Sequence, residues 1–282
     1  MKKGSNTRSS LLFEVERLLN ECMDLNGELP QILLMENVTQ VHSEQNKEDF
    51  RNWVGFLESL GYSCFYQDLN AKDYGIPQNR DRTFMVSCLG NYYYDFPPKQ
   101  ELKLRLKDML EDNVDKKYYV DNDKSRKLIQ ELIDNGTIEG GQTLSVTNLG
   151  TSNEENIASA EKTDVAHTVL ARDYKGLPNY GGNAVIQKLG SYTPSEHNAS
   201  SVVSGGGIAP TVMENHGTVT ATQTLDLRIR KLTPRECWRL MSFSDEDYEK
   251  AAQVNSDTQL YKQAGNSIVE EVLKGIFREM IE

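Results

Sequence analysis

Apolar residues in Thr7–Asn20 fall at Leu11, Leu12, Val15, Leu18 and Leu19, one stripe of a helix, with Thr7 or Ser9 placed to cap its start. The spacing then changes. Gln31–Glu36 is a continuous apolar run opened by Pro30, which predicts a strand buried on both faces. Phe50–Leu60 returns to helical spacing and is stopped by Gly61, while Ser63–Leu69 and Thr83–Leu89 read as strands. Helices alternating with apolar strands predict an α/β unit with a mostly parallel sheet. Gln31–Glu36 has the pattern of a central strand, yet it is the first strand met along the chain. Left alone it would carry an uncovered apolar edge, an aggregation hazard.

The periodicity weakens over residues 95–224. Lys99–Asp108 and Asp123–Asp134 fit short helices. Beyond them lie clusters of Gly, Ser, Thr and Asn, including Gly140-Gly141, Gly181-Gly182 and Gly205–Gly207, which suit a loop-rich module of short strands. Two stretches, AHTVLARDYKGLPNYGGNAVI and APTVMENHGTVTA, share Ala-x-Thr followed by a loop, too short a likeness to make a repeat. After Leu227 helical spacing resumes. Thr233 fits an N-cap, Pro234 the first helical position and Glu236 the capping-box position. Gly265–Ile281 reads as one amphipathic helix with Ile268, Val269, Val272, Leu273, Ile276 and Phe277 on a shared face.

Composition changes this picture little. A hydrophobic share of 38% and a charged share of 26% over 282 residues suit one large globular domain or two modest ones. No run reaches the roughly 18 apolar residues of a membrane span, and the N-terminus has no apolar stretch of a secretory signal, so a cytoplasmic protein is expected. Cys22, Cys64, Cys88 and Cys237 lack the paired spacing of a zinc site, and a disulfide framework does not suit a chain of this size. No metal is expected. The net charge of −11 excludes a protein that is basic all over. A local stripe, Leu227–Leu240, nonetheless gathers Arg228, Arg230, Lys231, Arg235 and Arg239 against Glu236. It reads either as a nucleic-acid contact or as a solvated helix start.

Three further segments carry candidate chemistry. Glu36-Asn37-Val38 stands at the carboxyl end of the apolar strand, where open α/β sheets bind ligands, though it also fits a helix-initiating turn. In Gly75–Arg82, Arg80 and Arg82 alternate on an extended segment and so point to one side. Two such guanidiniums need an anion or carbonyls between them, unless one pairs with Asp73 or Asp81. Gly265-Asn266-Ser267 opens the last helix on this reading, as a ligand-binding amide cluster or as a simple cap.

In order and content these segments resemble the later motifs of the bacterial and phage DNA cytosine-5 methyltransferases. TRSSLLFEVERLL is similar to motif V, LLMENV to motif VI, GIPQNRDR to motif VIII, RKLTPRECWRLMSF to motif IX and QAGNSIVEEVL to motif X. The stretch AHTVLARDYKGLPNYGGNAVI is similar to target-recognition sequence of phage-borne members. The resemblance implies an α/β fold: part of an S-adenosylmethionine-dependent, Rossmann-like methyltransferase sheet, with an inserted loop-rich target-recognition domain. Residues 1–94 would be the C-terminal half of the catalytic domain, 95–226 the recognition domain, and 227–282 a return to the catalytic domain. It further implies methyl transfer from S-adenosyl-L-methionine to carbon 5 of a cytosine flipped out of double-stranded DNA. Glu36 would hold the cytosine through its exocyclic amine and N3, Arg82 would contact O2, and Arg80 would support nearby backbone or phosphate. Leu11, Asn266 and Ser267 match positions lining the cofactor pocket. Arg172, Lys175, Arg228 and Arg230 would meet DNA, with Arg230 and the helix after Thr233 also organising the recognition domain.

The chain departs from the family in lacking its glycine-rich FxGxG segment, the acidic residue after it, and the Pro-Cys loop that supplies the nucleophile. The residues before its four cysteines are Glu21, Ser63, Ser87 and Glu236. The expectation is a C-terminal portion that works with a separate N-terminal methyltransferase subunit, Met1 standing where the family has an internal methionine. The alternatives are a non-catalytic sequence-specific DNA-binding module and an inactive gene remnant.

Overall fold

The computed structural model describes residues 11–25, 27–135, 143–149, 156–177, 181–188 and 227–281. They form two compact units: Met1–Leu104 with Ser267–Glu282, and Arg105–Asn266. The division into compact units falls at 104 and 267, while the resemblance implied domain bounds at 94 and 227. Residues 227–266 belong to the second unit because their strand pairs within its sheet.

The first unit begins with α1 (Leu11–Leu25), which buries Leu19; the caps expected at Thr7 or Ser9 lie outside the described residues. Then come β1 (Ile32–Asn37), α2 (Lys47–Ser59), β2 (Tyr62–Asn70), the two-residue β3 (Gln78–Asn79) and β4 (Asp81–Leu89). Helix α2 buries Phe50, Trp53 and Leu57, and the chain leaves it through Gly61, at a φ of +92° that a residue with a Cβ rarely adopts. The sheet order is β1-β4-β2, with β4 antiparallel to both neighbours. The parallel sheet expected from the alternation is therefore corrected. Strands β1 and β2 do run in the same direction, as the α2 crossover between them requires, but β4 returns by a short connection and separates them. Strand β1 is half-buried at a sheet edge, with Ile32 46% exposed, instead of being covered on both faces. Leu19, Val41, Phe50, Trp53, Leu57, Tyr62 and Met85 form the core on which α2 sits. Each such side chain contributes about 1.5–3 kcal/mol by leaving water.

The second unit contains β5 (Tyr119–Val120), α3 (Asp123–Asp134), β6 (Thr143–Thr147), β7 (Ser159–Lys162), β8 (Ala166–His167), β9 (Gly182–Lys188), β10 (Leu227–Lys231), α4 (Pro234–Arg239), α5 (Asp245–Ala252) and α6 (Asp257–Asn266). Five strands pair antiparallel in the order β5-β10-β9-β6-β7. Helix α3 starts where Asn122 accepts from the Ser125 amide and Ser125 returns a bond to Asn122 N–H, and it packs Leu128 and Ile129 on the sheet. The helix expected over Lys99–Asp108 is only a turn at Leu106–Met109. The glycines at 140–141 and 205–207 and the APTVMENHGTVTA stretch lie outside the described residues.

The chain returns to the first unit through Ser267 and α7 (Glu270–Ile281), which buries Val272, Gly275 and Ile276. The single helix expected over Gly265–Ile281 is two. Ser267 gives its carbonyl to Arg80 at 2.9 Å, so it does not continue a helical ladder, and Gly265-Asn266 closes α6 where it was expected to open a helix. No helix among the described residues is long and apolar enough to cross a membrane.

Candidate catalytic and DNA-reading sites

In the first unit the antiparallel register sets Glu36 opposite Phe84, with Arg82 two residues before Phe84 on β4, and the pleat puts both charged side chains on one face. Arg82 Nε stands 3.2 Å from Glu36 Oε1, the two side chains 18% and 23% exposed. Arg82 Nη1 also donates to the Asp81 carbonyl at 2.6 Å. Arg80 is nearly buried and donates to the Ser267 carbonyl. Burial first, then the Arg82 charge, push its pKa down to about 10, while Glu36 opposes the shift. Glu36, Arg80, Arg82 and Ser267 thus form one cluster. Asp73 pairs instead with Lys99 at 2.8 Å, so it is not the arginine partner the alternative reading needed. The turn reading of Glu36-Asn37-Val38 is realised alongside the carboxylate: Asn37 Oδ1 accepts from the Val38 amide, and a 3-10 turn begins at Thr39.

Of the positions matched to a cofactor pocket, Leu11 opens α1 with its side chain outside the described residues. Asn266 is exposed at the end of α6, and Ser267 is half-buried on Arg80. The four cysteines are free thiols. Burial pushes the Cys64, Cys88 and Cys237 thiols up, the reverse of what a thiolate nucleophile requires.

In the second unit the basic stripe is largely internal. Arg230 was expected at DNA, and this is corrected: it is 1% exposed and makes a two-pronged pair with fully buried Glu236, at 2.8 Å to each oxygen. Glu236 also accepts from the amides of Thr233 and Glu111, so the capping box and the counter-ion are the same carboxylate. Arg235 is held by Glu111, Asp245 and Glu249, and Arg239 by Asp245 and the carbonyls of Met109 and Leu110. Lys231 donates to the Tyr174 carbonyl at 3.2 Å. Neither a DNA stripe nor a solvated helix start describes this segment. Arg228 is half-exposed on β10, and Arg172 and Lys175 are exposed on the turn between β8 and β9. Sequence reading missed Glu111, which carries no local signal. It also missed the Arg230–Glu236 pair, whose signal was a strand-end arginine six residues before an N3 glutamate.

The family description "C-5 cytosine-specific DNA methylase" matches residues 1–282. The type II methyltransferase M2.ScrFI of Lactococcus lactis subsp. cremoris is 32% identical over 281 residues, which are 99% of this chain and 60% of that protein. The orphan methyltransferase M.SPRI of Bacillus phage SPR is 30% identical over 351 residues, 99% of this chain and 78% of the phage protein. The chain thus spans less than two thirds of the Lactococcus relative. The solved Entamoeba histolytica methyltransferase EhMeth shares the fold with a TM-score of 0.58 at 15% identity, covering 100% of this chain and 76% of the other. On these matches the chain belongs to the C-5 cytosine-specific DNA methylase family.

Proposed function

We propose that this chain supplies the base-holding and DNA-reading parts of a DNA cytosine-5 methyltransferase, and that the nucleophilic cysteine and most of the cofactor site come from a separate N-terminal subunit. The Glu36–Arg82 pair carries the reading. Cytosine presents an amine donor, the N3 acceptor and the O2 acceptor along one edge. A carboxyl group beside a guanidinium matches that order: Glu36 accepts from the amine and holds a proton at N3, and Arg82 donates to O2. Thymine, with a carbonyl in place of the amine, would face the carboxylate with a second acceptor. A proton held at N3 relieves the charge that builds on the ring as a thiolate adds at carbon 6. Arg80, buried and bonded to the Ser267 carbonyl, supports the nearby backbone rather than touching the base.

S-adenosyl-L-methionine supplies an activated methyl group when bound. Leu11, Asn266 and Ser267 are the positions of this chain that would line its pocket. Exposed Asn266, the last residue of α6, and half-buried Ser267 after it suit one wall of such a site, and Glu36, held by Arg82, is not left for a ribose.

The separate subunit is supported by the surface of the first unit. Strand β1 has a partner strand on one side only among the described residues, and Leu18, Leu25, Ile32, Phe277 and Ile281 are exposed. Double-stranded DNA would be met by Arg172, Lys175 and Arg228. Glu36→Gln tests the proposal in a pair reconstituted with an N-terminal half bearing the Pro-Cys motif. Methyl transfer should fall by roughly 10²–10⁴-fold with duplex binding retained. Undiminished transfer by the variant would remove Glu36 from the chemistry, and duplex binding with no transfer by any pair would favour a non-catalytic reader.

A further inference from the structure

The turn bearing Arg172 and Lys175 rests on α6 by contacts that a spacing argument does not reveal. Gly265 lies within α6 with no positive φ, so the helix does not need a glycine for its backbone. Alanine is the better helix former there. What excludes it is space: a Cβ on Gly265 would lie closer than 3.0 Å to the Leu170 carbonyl carbon and to the Ala171 backbone. One and two contacts back along the same helix face, Lys262 stands 5.4 Å over the Tyr174 ring and Tyr261 receives Lys231 at 4.8 Å. Lys231 in turn holds the Tyr174 carbonyl. The turn closes on itself as well. Asp173 accepts from the Leu170 amide at 2.9 Å, and the Leu170 carbonyl accepts from Asp173 N–H at 3.0 Å.

This seating sorts the side chains of the turn. Asp173 and Tyr174 face inward and are half-buried, whereas Arg172 and Lys175 are exposed. In a 3-10 turn residues three apart eclipse, so the two cations stand together on the outer side. The one acidic group of the turn is withdrawn, and its pKa is pushed up to about 6 by burial. The outer side is left cationic.

We infer that Leu170–Gly176 is a preformed phosphate-gripping turn, in which Arg172 and Lys175 hold adjacent phosphates of the DNA backbone, and that Gly265 and Asp173 are its positioning residues. The inference rests on the reading of this chain as a DNA methyltransferase component. It assigns these cations to backbone contact and gives the glycine before Asn266 a role in DNA binding. A turn whose backbone is already held presents its cations to phosphate without first ordering a loop, so the held geometry raises affinity for any sequence.

The test measures binding of the whole chain to a 30-base-pair mixed-sequence duplex by fluorescence anisotropy at graded salt. Each phosphate contact contributes about 0.9 to the slope of log K against log salt. Arg172→Gln with Lys175→Gln should lower the slope by about 1.8. Gly265→Ala and Asp173→Ala should each approach that loss and add nothing to the double charge variant, whereas Asp173→Asn, which keeps the acceptor, should retain the slope. Trypsin provides a readout independent of DNA. Cleavage after Arg172 and Lys175 should accelerate roughly tenfold or more in Gly265→Ala and Asp173→Ala, with cleavage after Lys274 unchanged. If Gly265→Ala does not fold, Asp173→Ala against Asp173→Asn decides the positioning role. Native slope and native trypsin resistance in the Ala variants would overturn that role. An unchanged slope in the double charge variant would overturn the phosphate assignment, and absence of duplex binding by the native chain would overturn the DNA-reading function beneath it.

Discussion

The two sheets treat their edges differently. In the second unit the edge strands are β5, two residues long, and β7, whose sequence SAEK places Glu161 and Lys162 at the border. Short or charged edges resist pairing with another chain, and the central β10 carries buried Ile229 and Arg230 between two partners. In the first unit β1 is an edge of six residues, ILLMEN, without a charge before Glu36. Nearby elements leave Leu18, Leu25, Phe277 and Ile281 exposed, while in the second unit Ile157 and Val254 are the exposed large apolar side chains among the described residues. One unit covers its own core. The other has a longer, apolar edge strand with a partner strand on one side only among the described residues, and its candidate catalytic carboxylate stands at the end of that strand.

The comparison breaks most readily at the buried pair that closes the second unit. Glu236→Ala leaves Arg230 charged at 1% exposure and removes the acceptor for two amides. It should cost about 3–5 kcal/mol in urea unfolding of the second unit, with the core around Leu57 and Met85 unaffected. A loss below 1 kcal/mol would show that the pair does not close that unit.

Asp173→Asn should act in the other direction. The folded-state pKa of Asp173 is raised from 3.8 to about 6 by burial, so the folded chain binds the proton more tightly than the unfolded chain. The stability this group offers is fully present below pH 3.8 and is lost as pH rises through about 6. The neutral amide should therefore stabilise the second unit at pH 7 by roughly 1–3 kcal/mol, a gain that fades as pH falls below 6. Thermal unfolding of both proteins at pH 4 and pH 7 checks it; a gain independent of pH would contradict the assignment.

The smallest effect on stability is expected at the uncovered face. Leu18→Glu or Phe277→Glu replaces an exposed side chain, so the isolated chain should change by no more than about 0.5 kcal/mol. Association with the N-terminal half should nevertheless weaken, measured by titration of one half into the other. Unchanged association would move the proposed interface elsewhere.

Local structure was legible where one element's pattern decides it. Asp123–Asp134 is a helix as its spacing predicts, Thr233 caps α4 with Glu236 at N3, and QILLME is a strand. The direction of the strands was not legible, because β4 turns back beside β2 and inserts between it and β1, a pairing that leaves no trace in apolar periodicity. The apolar run of β1 predicted burial on both faces, whereas the strand is half-buried at an edge among the described residues. At the candidate site, the antiparallel pairing of β1 with β4 sets Glu36 beside Arg82, a proximity that neither segment's spacing carries and that only the family resemblance implied. Arg230 misled because its partner is set by the packing of β10 against α4 rather than by charge counting. Gly265 resembled a helix cap for a similar reason, since the backbone that crowds it lies some ninety residues earlier in the chain.

The most direct measurement is transfer of labelled methyl groups from S-adenosylmethionine to duplex DNA, by the isolated chain and by the chain mixed with an N-terminal half containing Pro-Cys. The proposed division of labour predicts no transfer by the chain alone and transfer by the pair, abolished when that cysteine is changed to serine. Transfer by the isolated chain would contradict it.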